Sequence, residues 1–142
     1  VSKLLFEDYL NQLAGGLIHA MKGTEQEINL EIICPKLTLN LDTAIPLGLI
    51  TNELVTNSLK YGFNGRKKGT ISIRLSIDKQ DKEYKLYIGD DGVGYPKQFN
   101  FYSSKSLGLM LVHKLSRQLS GKIVRDFSKI GSNYVLYFKE II

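Results

Sequence analysis

Helical and alternating apolar spacings follow one another along this chain. Phe6, Leu10, Leu13, Leu17 and Met21 recur three or four apart, which predicts an amphipathic helix over the first twenty-odd residues. Gly15-Gly16 weakens that helix in its middle. Ile28, Leu30 and Ile32 alternate with polar residues, as do Leu37, Leu39 and Leu41, so two short strands are expected. Asp42 is placed to cap the next helix, and Pro46 is tolerable only near its first turn. That helix is expected to run to Tyr61, and Leu47, Leu49, Ile50 and Leu54 mark it as buried. Ile71, Ile73, Leu75 and Ile77 alternate, then Tyr84, Leu86 and Ile88 after a polar turn, which predicts a hairpin ending at Asp90. Residues 95–106 read as a loop with Pro96, Asn100 and three serines. Leu111, Val112, Leu115 and Leu119 mark a helix stopped by Gly121. A last hairpin runs from Ile123 to Phe127 and, past Gly131, from Tyr134 to Phe138. The order α-β-β-α-β-β-loop-α-β-β implies an α+β fold. Helices cover one face of a mostly antiparallel mixed sheet, a two-layer α/β sandwich.

Composition narrows the functions. At 142 residues the chain is one ordinary domain with room for a core. No apolar run approaches the ~20 residues of a membrane span. The start, Val1-Ser2-Lys3-Leu4-Leu5-Phe6-Glu7-Asp8, mixes acids with apolar residues, so no secretory leader is expected. The missing initiator Met leads us to expect a piece of a longer protein. Cys34 is the only cysteine, so no internal disulfide can form, which fits a reducing, cytoplasmic setting. The net charge of +5 favours anionic partners but is too dispersed for nucleic acid. Arg66-Lys67-Lys68, the only basic cluster, reads as a solvated turn.

Three polar clusters carry chemistry. The first is Asn52-Glu53-Leu54-Val55-Thr56-Asn57-Ser58-Leu59-Lys60-Tyr61, the second Asp90-Asp91-Gly92-Val93-Gly94-Tyr95-Pro96, the third Ser106-Leu107-Gly108-Leu109. On a continuous helix Glu53, Asn57, Lys60 and Tyr61 share one face. A solvated face would be the plain reading of an isolated helix. On a buried one, an unpartnered polar group costs about 1–3 kcal/mol, so the stripe calls for a ligand or a second polar element. Asp90 ends a strand and can accept from an exocyclic amine, while Gly92 and Gly94 let backbone approach a ligand. An Asp-Gly turn alone is common and would be weak evidence. Gly108 opens a helix whose free N–H groups favour an anion. No Gly-x-x-x-x-Gly-Lys-Ser/Thr occurs, which excludes a P-loop enzyme.

In this order and spacing the clusters resemble the ATP-binding catalytic domain of sensor histidine kinases. That domain belongs to the superfamily of gyrase, the mismatch-repair ATPases and the heat-shock chaperone ATPase (the Bergerat fold). The match spans nearly all of the chain from Leu37 on, and Asp42 to Asn57 is its most specific stretch. The resemblance implies ATP and Mg²⁺ as ligands. By it, Asn57 holds Mg²⁺, Lys60 approaches the phosphates, Tyr61 packs by adenine and Asp90 holds the adenine amine. Gly92 and Gly94 form one glycine box, and Gly108 with Leu109 the other. Residues 95–106 are the lid, and Ser132 borders the adenine pocket. Glu53 is the catalytic carboxylate, as base, water polariser or orienter of the acceptor imidazole. Residues 25–142 would be the catalytic domain, and 1–24 a helix continuing from an upstream phosphoacceptor domain.

The phosphoacceptor is expected outside this chain. His19 is followed by Ala20, Met21 and Lys22 rather than an acid, and His113 lies on the helix after the second glycine box. Both read as structural or surface residues. The favoured function is therefore a protein-histidine kinase catalytic domain passing the γ-phosphoryl group to an upstream histidine, with a response regulator downstream and no membrane contact of its own. The alternatives are an ATP hydrolase or switch, or an anti-sigma-type serine kinase or binding module.

Overall fold

A computed structural model describes residues 2–95 and 99–142. In chain order its elements are β1 (Lys3–Leu5), α1 (Phe6–Met21), β2 (Glu27–Ile33), β3 (Thr38–Asn40) and α2 (Leu41–Asn57). After a π-helical turn at Ser58–Gly62 come β4 (Lys68–Asp78), β5 (Glu83–Asp90), α3 (Leu107–Gln118), β6 (Lys122–Arg125) and β7 (Asn133–Phe138).

Alternation decides which face of the sheet is inside. Side chains on a strand point alternately to its two faces. Ile71, Ile73 and Leu75 on β4, Leu86 and Ile88 on β5, and Tyr134, Leu136 and Phe138 on β7 all turn toward the helices and are buried. The sheet order is β2-β4-β5-β7-β6. β2 pairs with β4 in parallel, and the other neighbours are antiparallel. The expected sandwich of helices over a mostly antiparallel mixed sheet is therefore present.

α1 lays Phe6, Leu10, Ala14 and Ile18 into the same core as α2 and the sheet. It runs unbroken through Gly15-Gly16, because burial of that stripe outweighs the local loss of helix propensity.

Several local expectations are corrected. A strand at Lys3–Leu5, which no alternating run announced, pairs with β3 in a separate two-stranded sheet. Asn40, not Asp42, caps α2: its side chain accepts from Thr43 N at 3.0 Å. Pro46 thus falls in the second turn, where its ring removes one helix hydrogen bond. Leu49 is 43% exposed, so this face of α2 is not buried. α3 ends without a left-handed glycine. Ser120 takes that conformation (φ 52°), and Gly121 N donates to Ser116 O at 2.9 Å, closing a Schellman motif. Gly121 is needed instead because a Cβ there would lie 2.5 Å from Tyr137 O.

Candidate functional site

The inward phase of β5 continues past Ile88 to Asp90, so the strand's last residue puts a carboxylate under the end of the helix layer. Ser132 is in phase with Tyr134 on the neighbouring strand, and Asp90 N donates to Ser132 O at 3.1 Å. Asp90 is only 4% exposed. Its Oδ1 accepts from Gly92 N at 2.9 Å and from Ser132 N at 3.3 Å, and its Oδ2 accepts from Ser58 Oγ at 2.5 Å. An ionised carboxylate has about four lone-pair sites. Three are used among the described residues, and the remaining one, on Oδ2, suits an amine donor.

The π turn decides which helix residues reach this carboxylate. Its i→i+5 bonds turn the chain less per residue than an α-helix does. Tyr61 thereby stays beside Asn57, while Lys60 is carried outward. Asn57, Ser58, Tyr61, Asp90, Gly94 and Ser132 meet around one cleft, closed in by Leu54, Gly62, Tyr95 and Tyr134. Lys60 is exposed and does not line it. The cleft is narrow: a water centre finds about 10 Å³ there. A purine needs more, and the exposed Tyr61 ring and half-buried Tyr95 flank the space that would open.

The first glycine turn is built on close backbone approach. A Cβ on Gly92 would lie 2.0 Å from Gly62 O, and Val93 N donates to that same oxygen at 2.8 Å. Gly94 takes φ +74°, a left-handed conformation suited to glycine. Asp91 is structural: its Oδ1 accepts from Thr70 N at 2.8 Å and closes the end of β4.

The second glycine turn meets a different part of α2. A Cβ on Gly108 would lie 2.3 Å from Glu53 Oε2, so the glycine lets the first turn of α3 rest against that carboxylate. Ser106 caps the helix, accepting from Leu109 N at 3.2 Å, and Leu109 is buried in the core. The groove beside Glu53 and Gly108 is lined by Lys114 and Arg117, cations that the sequence reading did not single out.

The expected lid spans residues 95–106, of which 96–98 lie outside the described residues. Phe101 is core, packed on His113 (centroids 4.7 Å) and Tyr134 (4.9 Å). His113 Nε2 lies 3.0 Å from Phe101 O, so this histidine anchors the loop, and His19 is exposed on α1. Tyr102 OH accepts from Arg125 N at 2.9 Å. Ser58, Tyr95 and Tyr134 were given no role at the site from sequence. Tyr134 could have been found, because it shares the inward phase of Ser132.

Among the described residues no three His, Cys, Asp or Glu side chains converge as a metal cage. Mg²⁺ does not need one, since it keeps waters and takes few protein oxygens. The Asn57 amide in the cleft fits that sparing requirement.

The family model described as histidine kinase-, DNA gyrase B- and HSP90-like ATPase matches residues 42–141. The sensor histidine kinase PdtaS of Mycobacterium tuberculosis is 33% identical over 101 residues, 69% of this chain and 20% of that protein. Blue-light-activated histidine kinase 2 of Erythrobacter litoralis is 24% identical over 115 residues, 81% of this chain and 32% of that protein. The chain thus spans about a fifth to a third of the length of these curated relatives. Among solved structures, the histidine kinase domain of an Erythrobacter litoralis blue-light activated histidine kinase aligns with a TM-score of 0.85 at 21% identity, covering 96% of this chain and 62% of that one. The ATP binding domain of PrrB from Mycobacterium tuberculosis aligns at 0.70 with 20% identity, covering 99% and 98%. With a family match over most of its length and the Asp90 carboxylate set against the Asn57 helix and the first glycine turn, this chain belongs to the histidine kinase-, DNA gyrase B- and HSP90-like ATPase family.

Proposed function

We propose that the chain is the ATP-binding catalytic domain of a two-component sensor histidine kinase, passing the γ-phosphoryl group of Mg-ATP to a histidine on a separate upstream domain. The observation that carries this reading is the buried Asp90 carboxylate, oriented by three donors with one acceptor site left facing the Asn57 cleft. Both curated relatives above are named histidine kinases, which supports phosphoryl transfer over hydrolysis.

In this reading Asp90 accepts from the exocyclic amine of adenine. Guanine would present a carbonyl oxygen there, leaving two acceptors face to face. Tyr61 and Ser132 flank the base. Gly92 and Gly94 hold the turn that frames it, and Gly108 with Leu109 sets the start of α3 toward the phosphates. Asn57 holds the cation without adding negative charge against the triphosphate. Bound Mg²⁺ supplies charge neutralisation at the phosphates, where phosphoryl transfer is mostly positioning and electrostatics. Glu53 is itself an anion beside the α3 N-terminus. It would repel a phosphate at close range, which favours its acting through water or on the acceptor imidazole. Lys60 is exposed and reaches the phosphates only by extending its side chain from the π turn. The N-terminal segment, β1 followed by α1 (Phe6–Met21) in place of the single helix expected over 1–24, connects to the acceptor domain. A response regulator receives the phosphoryl group, and the domain works in the cytoplasm without membrane contact. No helix among the described residues is long and apolar enough to cross a membrane.

A nucleotide titration followed by thermal shift tests this, because a ligand of the folded state raises stability by mass action. ATP with Mg²⁺ should raise Tm, Asn57→Ala should remove the Mg²⁺-dependent part, and Asp90→Asn should erode preference for ATP over GTP. A wild-type Tm unmoved by millimolar Mg-ATP would overturn the reading.

A further inference from the structure

Tyr134 stands on β7 two residues past Ser132, and both face the helix layer. It is 3% exposed, and its ring is held against Phe101. Its hydroxyl is buried with no hydrogen-bond partner among the described residues, and it lines the same cleft as Asp90, Asn57 and Ser58. The Tyr95 phenol stands close enough to act on its ionisation, yet no hydrogen bond of ordinary length and angle joins the pair. Burial above all, then Tyr95, pushes the Tyr134 phenol far above its ordinary range, so it remains a neutral donor at working pH. An unpartnered buried hydroxyl is costly in the free protein. Asp90 and Ser58, which line the same cleft, are bonded to each other.

The chemistry of adenine says what would satisfy Tyr134. The exocyclic amine is a donor, and the ring nitrogens on either side of it are acceptors. A site that gives the amine a carboxylate must give the neighbouring ring edge a donor. Beside Asp90, the Tyr134 hydroxyl is a neutral donor without a partner.

We propose that Tyr134 is a specificity-determining residue of the nucleotide site, its hydroxyl donating to a ring nitrogen of the bound adenine. This rests on the nucleotide reading above. The residue is a contact for the base, and no part of phosphoryl transfer is assigned to it.

Tyr134→Phe keeps the ring and removes only the hydroxyl. The free variant should melt at the wild-type temperature or slightly above it, since an unpaired buried group is lost. Its ATP dissociation constant should rise about fivefold, the usual size of one neutral hydrogen bond. A series of deaza-ATP analogues, each with one ring nitrogen replaced by carbon, gives a readout that a packing role would not move. Wild type should bind one analogue about fivefold more weakly than ATP, and Tyr134→Phe should no longer distinguish that analogue from ATP. Unchanged ATP affinity in the variant, or a wild type that binds every analogue as tightly as ATP, would overturn the inference and leave the nucleotide site standing. A fall of several degrees in the free variant would also overturn it, by showing that the hydroxyl is paired within the protein. A wild type that binds no nucleotide would remove both readings together.

Discussion

Gly92 meets backbone, whereas Gly108 meets the tip of a side chain. In the Asp90 cleft, the glycine turn lies against Gly62 O and the carboxylate is fixed by three donors. Nothing there can shift without disturbing β5 or the π turn. In the Glu53 groove the contact is with Oε2 of a flexible side chain, and Leu107 is 84% and Met110 52% exposed. At the first the carboxylate is set before a ligand arrives, while the Tyr61 and Tyr95 rings part to admit a base, and at the second the contacts themselves rearrange by rotating side chains. In the proposed function that division is useful. The base requires a fixed partner for selectivity, while the phosphate end has to admit a cation and an incoming acceptor.

Paired substitutions test this contrast most strongly. Gly92→Ala should cost roughly 3 kcal/mol and lower Tm by about 10 °C, because its Cβ would strike backbone. Gly108→Ala should cost under about 1 kcal/mol, because Glu53 can swing aside. Equal losses in a thermal melt would break the comparison. Next in size is Ser58→Ala, which strips the donor from Asp90 Oδ2. A hydrogen bond to a buried charge is worth about 2 kcal/mol, so Tm should fall by roughly 5 °C and ATP affinity should drop with it. A variant with wild-type Tm would mean that Asp90 does not depend on that donor. Smallest near neutrality is a pH effect. Burial raises the ionisation of Tyr95 and Tyr134 above the ordinary tyrosine range. A raised folded value contributes stability that is fully present below the unfolded value near about pH 10 and is lost as pH climbs through the folded one. Tm should therefore be flat with respect to these two groups up to about pH 9 and decline above about pH 10. Tyr134→Phe should soften the decline, and an identical alkaline limb in the variant would argue against this source.

How much of this was legible depends on the range over which each feature is decided. The alternation at Ile71–Ile77 and Tyr84–Ile88 located β4 and β5, because the two-residue period is local. It also put Asp90 in the inward phase. The spacing of Phe6 and Leu10 located α1, although Ala14 and Ile18 complete the stripe rather than Leu13 and Leu17. The clusters around Asn57, Asp90 and Gly108 were visible as motifs. Their meeting in space was not, because no local pattern brings residue 58 to residue 90. Lys60 shows the limit most clearly. On an ideal helix it joins the Glu53–Asn57 stripe, and the π turn takes it off that stripe.

Propensity, periodicity and motif order are properties of neighbouring residues, so the sequence by itself determined the layers, the elements and the types of side chain at the cleft. Three things depended on contacts between residues far apart in the chain: the parallel pairing of β2 with β4, the Ser58–Asp90 bond and the Gly92–Gly62 contact. Only the tertiary structure decided those, because distant segments acquire a partner only when the whole core packs.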